Sequence, residues 1–304
     1  MLHLTLRQLR YFDALVRHRH FGRAAGACAI SQPALSEQIK ELEEKFGAAL
    51  FERGARQVRM TDLGEALAER VGGILASIDE LDGLAASHRP LRRLRLGVIP
   101  TVGPYILPSV MHDLTEAYPE LDVHVRETIT ERLAEELQQG RIDAAIVALP
   151  VAGFEATALF CEEFLLVRAR SEAAAPPPAL ENLREARLLL LEEGHCLRDQ
   201  ALSVCGQNPL YPRETLAASS LSTLVQMVGA GLGVTLIPAM AVAVEVRSAP
   251  VAVTRFAAPQ PSRTIGMIWR KSSPLAKPLR EICEIVRRAG EAGGVAAGLN
   301  RLDS

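Results

Sequence analysis

No stretch of the 304-residue sequence approaches the roughly 18 consecutive apolar residues of a membrane-spanning helix, so no spanning segment is expected. The first residues, Met1 to Arg10, lack the apolar centre of a secretory signal, which makes the cytoplasm the expected compartment. Cysteine is scarce. Cys28, Cys161, Cys196, Cys205 and Cys283 form an odd and scattered set, which excludes a structural disulfide framework and leaves each thiol to be judged as core, ligand or redox group. Neither sign of charge dominates, the formal net being -2. The balance of 48% hydrophobic and 23% charged residues excludes a wholly disordered, collagenous or single-helix chain. What is present is length enough for about two domains with their own cores, so function has to come from sites.

The small net charge hides an asymmetry. Residues 1–60 hold 10 Lys/Arg against 6 Asp/Glu, a net of +4, so residues 61–304 carry -6. A basic head on an acidic body is expected where one end meets a polyanion. Leu6, Leu9, Tyr11, Phe12, Leu15 and Val16 recur at helical spacing. The small-residue run Phe21 to Cys28 lets a neighbouring helix approach closely, and its Cys28 is expected in the core. Ser31 is a good N-cap for a helix that tolerates Pro33 in its first turn. That helix buries Leu35, Ile39, Leu42 and Phe46 and leaves Gln32, Pro33, Ser36 and Lys40 on the other face. Two helices around a tight turn match a helix-turn-helix, whose second helix enters the DNA major groove. Leu50 to Met60 reads as a hairpin projecting Arg53, Arg56 and Arg59 along the phosphates. Thr61 to Ser87 reads as one long helix with the stripe Leu63, Leu67, Val71, Ile74, Ile78 and Leu81, which suits a seam between two subunits. Gly72-Gly73 weakens that seam, and the alternative is a helix packed on its own body.

The motifs Leu6-Arg-Gln-Leu-Arg-Tyr-Phe12, Ala24-Ala25, Ser31-Gln-Pro-Ala-Leu-Ser36, Leu42-Glu43 and Leu50-Phe-Glu-Arg53 resemble the LysR-type transcriptional regulators. The resemblance implies an all-α winged helix-turn-helix domain over 1–60, a linker and dimerisation helix with hinge over 61–90, and a two-lobed α/β regulatory domain of periplasmic-binding-protein type over 91–304. Glu37 is a departure, since an acidic residue stands on the recognition helix.

The acidic body alternates strands at 94–99, 121–126 and 142–148 with helices at 105–118 and 131–139, which indicates parallel βαβ units with ligands at the strand carboxyl ends. Thr101 follows the first strand, as a ligand group or a plain helix cap. Two adjacent strands, 157–161 and 164–168, precede the Pro176-Pro177-Pro178 linker. A second lobe then follows: strand 188–191, helix 219–229, strand 233–237 and helix 238–244. The segment 262–269 and a helix near 278–288 lead back out, and 290–304 has little to bury.

Glu193 to Gly206 holds Cys196 and Cys205 on a segment of good helix formers with the apolar face Leu197, Ala201, Val204. As a helix it would separate the two cysteine backbones by about 13 Å, whereas a disulfide needs Cα atoms within about 7 Å. Cys196 would lie near the helix N-terminus, beside His195 and close to Arg198, all of which favour the thiolate. Peroxide attack could then give a sulfenic acid that condenses with a second thiol. Two passive buried thiols are the bland alternative. Zinc on His195, Cys196 and Cys205 is disfavoured by spacing and by the want of a fourth ligand.

The run Gly194-His-Cys-Leu-Arg-Asp-Gln200, with Val98 to Pro104 and Pro261 to Gly266, is similar to the hydrogen-peroxide-sensing OxyR branch of the LysR family. That resemblance implies a peroxidatic Cys196, a resolving Cys205, and Thr101, Thr130, His195, Asp199 and Arg263 around the peroxide, with Thr128 a rival for Thr130. It assigns no role to Cys161 or Cys283, which are read as packing residues. It implies no cofactor and no metal. The partners it implies are promoter DNA with palindromic half-sites, a homodimer and homotetramer, and RNA polymerase for an activator. Two rival functions are a LysR regulator of a small organic effector and a thiol peroxidase.

Overall fold

The computed structural model describes residues 3–53, 58–86, 91–173, 183, 187–204, 216–256 and 260–291. The chain divides near position 90 into two compact units.

In the first unit α1 (Leu6–His18) starts at Thr5, whose side chain and Gln8 cap each other's backbone N–H groups. A short α2 (Phe21–Ala27) leads to α3 (Gln32–Phe46), which begins at the Ser31 cap and ends at Gly47 in the left-handed region. Phe12, Leu15, Leu35, Ile39 and Leu42 are buried together, and Gln8, also buried, links α1 to α3 by donating to Glu41 and accepting from Lys45. The strands β1 (Phe51–Arg53) and β2 (Val58–Met60) form an antiparallel wing whose Phe51 ring lies 5.3 Å from that of Phe12. The Glu43 carboxylate accepts the Leu50 and Phe51 backbone N–H groups, which anchors the wing to α3. Cys28 packs against this core as expected. The domain is thus helical with a two-stranded wing. Next comes α4 (Asp62–Ala86).

The second unit is built on a mixed sheet. β3 (Arg93–Val98), α5 (Gly103–Ala117), β4 (Asp122–Glu127), α6 (Thr130–Gln138) and β5 (Ala144–Leu149) are right where alternating patterns predict them, and β3 pairs in parallel with both β4 and β5. β6 (Glu155–Ala169) follows. The second lobe contains β7 (Leu190–Leu191), α7 (Cys196–Val204), β8 (Ala217–Ala218), α8 (Leu221–Gly229), β9 (Thr235–Pro238), α9 (Ala239–Glu245) and β10 (Val251–Thr254). β11 (Ser262–Trp269) returns to the first lobe, and α10 (Ala276–Ala289) packs its Leu279, Ile282, Cys283 and Val286 into that lobe's core.

Two expectations are corrected. The two strands expected at 157–161 and 164–168 are one 15-residue strand, β6. Its first part pairs with β11 and its second with β9 and β10, so it runs unbroken from one lobe to the other. The carboxylates of Glu162 and Glu163, which read as a break, are each matched by an arginine, Arg263 and Arg255. Strand β10 was not anticipated. Cys161, expected to pack, is exposed on β6 with its sulfur 3.5 Å from the Thr264 hydroxyl, whereas Cys283 is fully buried as expected. Among the described residues no helix is long and apolar enough to cross a membrane.

Candidate functional site

On the first unit, the Ser31 hydroxyl accepts the Ala34 N–H, opening α3 with Gln32, Pro33 and Lys40 exposed and Ser36 half-buried. Lys40 also lies 3.6 Å from Glu44, one turn on, in a solvent-exposed pair of little energetic weight. Arg53 closes β1, and Arg56 lies outside the described residues. A groove between α3 and the wing is lined by Phe21, Ser36, Ile39, Phe51 and Val58 together with the acidic Glu43 and Glu52.

In the second unit the structure holds Thr101 and Arg263 together, and sets the segment that leads into Cys196 against the one that leads into Thr130. Thr101 follows β3 and is almost fully buried. Its hydroxyl accepts from Arg263 Nη1 at 3.0 Å, and its carbonyl accepts from Nη2 at 3.0 Å. The hydroxyl hydrogen is thereby left to donate elsewhere. Arg263 in turn places Nε and Nη2 at 2.8 and 2.7 Å from Glu162 Oε1, with the two side chains 1% and 0% exposed. Burial pushes the Glu162 carboxyl upward from its ordinary pKa, and the adjacent guanidinium opposes that shift.

The cysteine segment approaches from the other lobe. Gly194 has φ +90°, and a Cβ there would stand 2.8 Å from Ile129 Cδ1. Only glycine combines that backbone angle with so close a neighbour. The contact brings Ile129, the residue before Thr130, against the residue before His195. Thr130 opens α6, and its Oγ1 is buried with no hydrogen-bond partner among the described residues. Such a group costs about 1–3 kcal/mol unless something bonds to it.

Cys196 is the first residue of α7 and packs against the first-lobe core, while Leu197 beside it belongs to the second-lobe core. The helix continues to Val204, and Cys205 is the next residue, outside the described set. Asp199 is exposed on the first turn of α7.

Two expected contributions to a thiolate are corrected. Burial holds the His195 pKa below its ordinary value, only partly offset by Glu192, so its imidazole is neutral at pH 7. Arg198 turns its Nη1 to the Leu191 carbonyl at 3.0 Å. The expected position of Cys196 at the N-terminus of α7 is observed.

Sequence reasoning missed three features. Glu162 fell in the break between two expected strands, so its buried place on β6 between Phe160 and Phe164 was not legible. Gln200, one turn after Cys196 on the same helix face, has a buried Oε1 without a hydrogen-bond partner among the described residues. Glu245 accepts from the Tyr105 hydroxyl at 2.7 Å and from Ser222 at 2.5 Å, joining α5 to α9 and α8, and no local pattern marked it.

Residues 6–65 match the bacterial regulatory helix-turn-helix proteins of the lysR family, and residues 87–291 match the LysR substrate binding domain. A probable hydrogen peroxide-inducible genes activator from Streptomyces viridosporus is 43% identical over 295 residues, covering 94% of each chain. The DNA-binding transcriptional dual regulator OxyR of Escherichia coli K12 is 37% identical over 290 residues, 93% of this chain and 95% of that one. Among solved structures, a full-length OxyR cysteine variant from Pseudomonas aeruginosa superposes with a TM-score of 0.79 at 35% identity, covering 94% and 95% of the chains. A hydrogen peroxide-bound OxyR cysteine variant from Corynebacterium glutamicum gives 0.66 at 35% identity, covering 99% and 97%. The same relatives match more than nine-tenths of the chain, and the two family models cover one unit each: the chain belongs to the LysR family of transcriptional regulators, in its OxyR branch of hydrogen peroxide-inducible activators.

Proposed function

We propose that this protein is a DNA-binding transcriptional regulator that senses hydrogen peroxide through Cys196. The observation that carries the reading is the start of α7: Cys196 opens a helix that runs to the residue before Cys205, packed on the first-lobe core, and the Thr130 hydroxyl is buried without a hydrogen-bond partner among the described residues. The Cys196 thiolate attacks one peroxide oxygen; an S–O bond forms as the O–O bond breaks, sulfur gives up two electrons, and the departing hydroxide takes a proton to become water. Thr101 and Thr130 hydrogen-bond the peroxide, Arg263 stabilises the negative charge that moves onto the leaving oxygen, and neutral His195 accepts or donates a proton. Asp199 borders the site from the first turn of α7. The Cys205 thiol then displaces water from the sulfenic acid to form the disulfide. The event is stoichiometric signalling and not turnover, and neither cofactor nor metal takes part.

The 1–60 domain binds double-stranded promoter DNA. Ser31, Gln32, Pro33, Ser36 and Lys40 address bases and nearby backbone, and Arg53 and Arg56 address phosphates. Helix and hinge 61–90 join two chains so that the 91–304 domains can reset the spacing of paired heads on palindromic half-sites. Two dimers form a tetramer, which in turn contacts RNA polymerase in the cytoplasm.

Reduced protein treated with one equivalent of hydrogen peroxide, with Cys196→Ser as control, tests the reading by mass spectrometry of non-reduced peptides. A rapid Cys196 to Cys205 link, absent from the control, is expected. Unchanged thiols would sink the peroxide sensor and leave a LysR regulator of a small organic effector.

A further inference from the structure

We infer that Glu162 is the positioning residue of the peroxide site: its buried carboxylate holds the Arg263 guanidinium against Thr101 and offsets its charge. The inference rests on the role proposed above for Arg263.

Arg263 and Glu162 face each other as register partners on β11 and β6. Arg263 is the second residue of β11, and β6 leaves its pairing with β11 just beyond Glu162 and continues with β9 from Phe164. The pair therefore stands at the point where the crossover strand changes lobes. A guanidinium is a planar fork of N–H donors, and its aim is fixed once two of its nitrogens are held. Here Nε and Nη2 are held by Glu162 Oε1, so the remaining edge falls on the Thr101 hydroxyl and carbonyl. The Phe164 ring supports the fork from one face, 5.7 Å from its carbon. The other carboxylate oxygen lies 3.5 Å from the Met240 backbone N–H, which ties the arrangement to α9. Without Glu162 the fork would keep only its Thr101 contacts and an unpaired positive charge in a dry site. That charge is costly to bury, so the side chain would turn toward water and away from Thr101. Glu162 touches no reacting atom and acts through Arg263.

The test uses full-length reduced protein and two reagents on the Cys196 thiol, hydrogen peroxide and iodoacetamide. Both need the thiolate, but only the first has a leaving oxygen for Arg263 to stabilise. Glu162→Gln is expected to lower the peroxide rate constant by about tenfold or more while the iodoacetamide rate stays within about threefold of the parent. In an Arg263→Met background the same change is expected to add no further loss, because the two residues act as one unit. Should Glu162→Gln fail to fold, Glu162→Asp keeps the charge but withdraws it by one methylene, and the same selective loss in peroxide rate is expected. A parental peroxide rate in either variant, an equal loss with both reagents, or losses that multiply in the double variant would overturn the inference. If the parent protein itself does not react with peroxide, the proposed sensing function falls and takes this role with it; a reactive parent with indifferent Glu162 variants removes this role alone.

Discussion

His195 adjoins Cys196, and its neutrality is set by its surroundings. Half-buried beside Cys196, its imidazolium loses more hydration than Glu192 restores, so its pKa lies below 6.5. In the unfolded chain the ring returns to its ordinary value and binds a proton more readily than in the fold. Between the two values the unfolded state therefore carries more protons, and stability rises with pH. The contribution is fully present above about pH 6.5 and is lost as pH falls through the folded value. His195→Gln cannot titrate. The expected result is that reduced wild-type protein loses more melting temperature between pH 7.5 and pH 5.5 than His195→Gln does. Equal losses would show that burial does not hold this ring neutral. The same neutrality bears on the chemistry, because a neutral imidazole can take up the thiol proton that an imidazolium could not.

At the scale of elements, α4 shows how one periodic stripe can face two ways. Val71 is buried and Leu75 is 9% exposed, both in the core of the first unit, while Leu63 and Ile74 are 39% and 47% exposed. At about 100° per residue Leu63 and Ile74 lie nearly in line, and Val71 and Leu75 turn away toward the body. The stripe that reads as a single subunit seam is thus split between the domain's own packing and an open apolar edge. Ile74→Glu places a charge on that edge without emptying the core. It is expected to leave the melting temperature of the first unit nearly unchanged while weakening dimerisation by about tenfold or more, as read by sedimentation equilibrium. A dimer of parental strength would remove this edge from the interface. Helix α4 was legible as a helix because its period is local, but its partition between core and edge was not, since that depends on Phe51 and the helices folding beneath it. The contrast recurs in the body. The segment of β11 was legible to its ends, Ser262 and Trp269, being a short apolar run with clear boundaries. β6 was read as two strands because Glu162-Glu163 interrupts its apolar pattern, and the arginine that neutralises Glu162 stands 101 positions later. Within the site, Cys196 and the glycine before it were visible as a motif. Glu162, Gln200 and Glu245 were not, because their meaning lies in burial and in partners from distant elements.

For the whole molecule, the lobes are tied by strands and polar contacts that have to be reconciled with a disulfide. β6 and the start of β11 cross between the lobes, Tyr105 reaches Glu245 from α5 to α9, and Gly194 sits on Ile129. α7 is held on this frame by Leu197, Ala201 and Leu202, all buried. A helix from Cys196 to Val204 holds its two ends about 12 Å apart, and a single further peptide step of about 3.8 Å cannot bring the next residue within the roughly 7 Å that a disulfide allows. Bonding therefore requires α7 to unwind and at least part of its apolar face to leave the core. At about 25 cal/mol per Å² that exposure is unfavourable, so the covalent bond has to hold the molecule in an arrangement the reduced chain avoids. If the proposed disulfide forms, sulfenic acid is expected first, within the reduced fold, with disulfide closure waiting for the helix to open. Hydrogen–deuterium exchange should report both stages. Amides of residues 196–204 are expected to stay protected in a Cys205→Ser protein carrying only the sulfenic acid, and to lose protection when wild type is fully oxidised. Protection unchanged in a protein shown to contain the Cys196 to Cys205 bond would mean that the strain is absorbed elsewhere, and the switch would then lie in the crossover strands and not in α7.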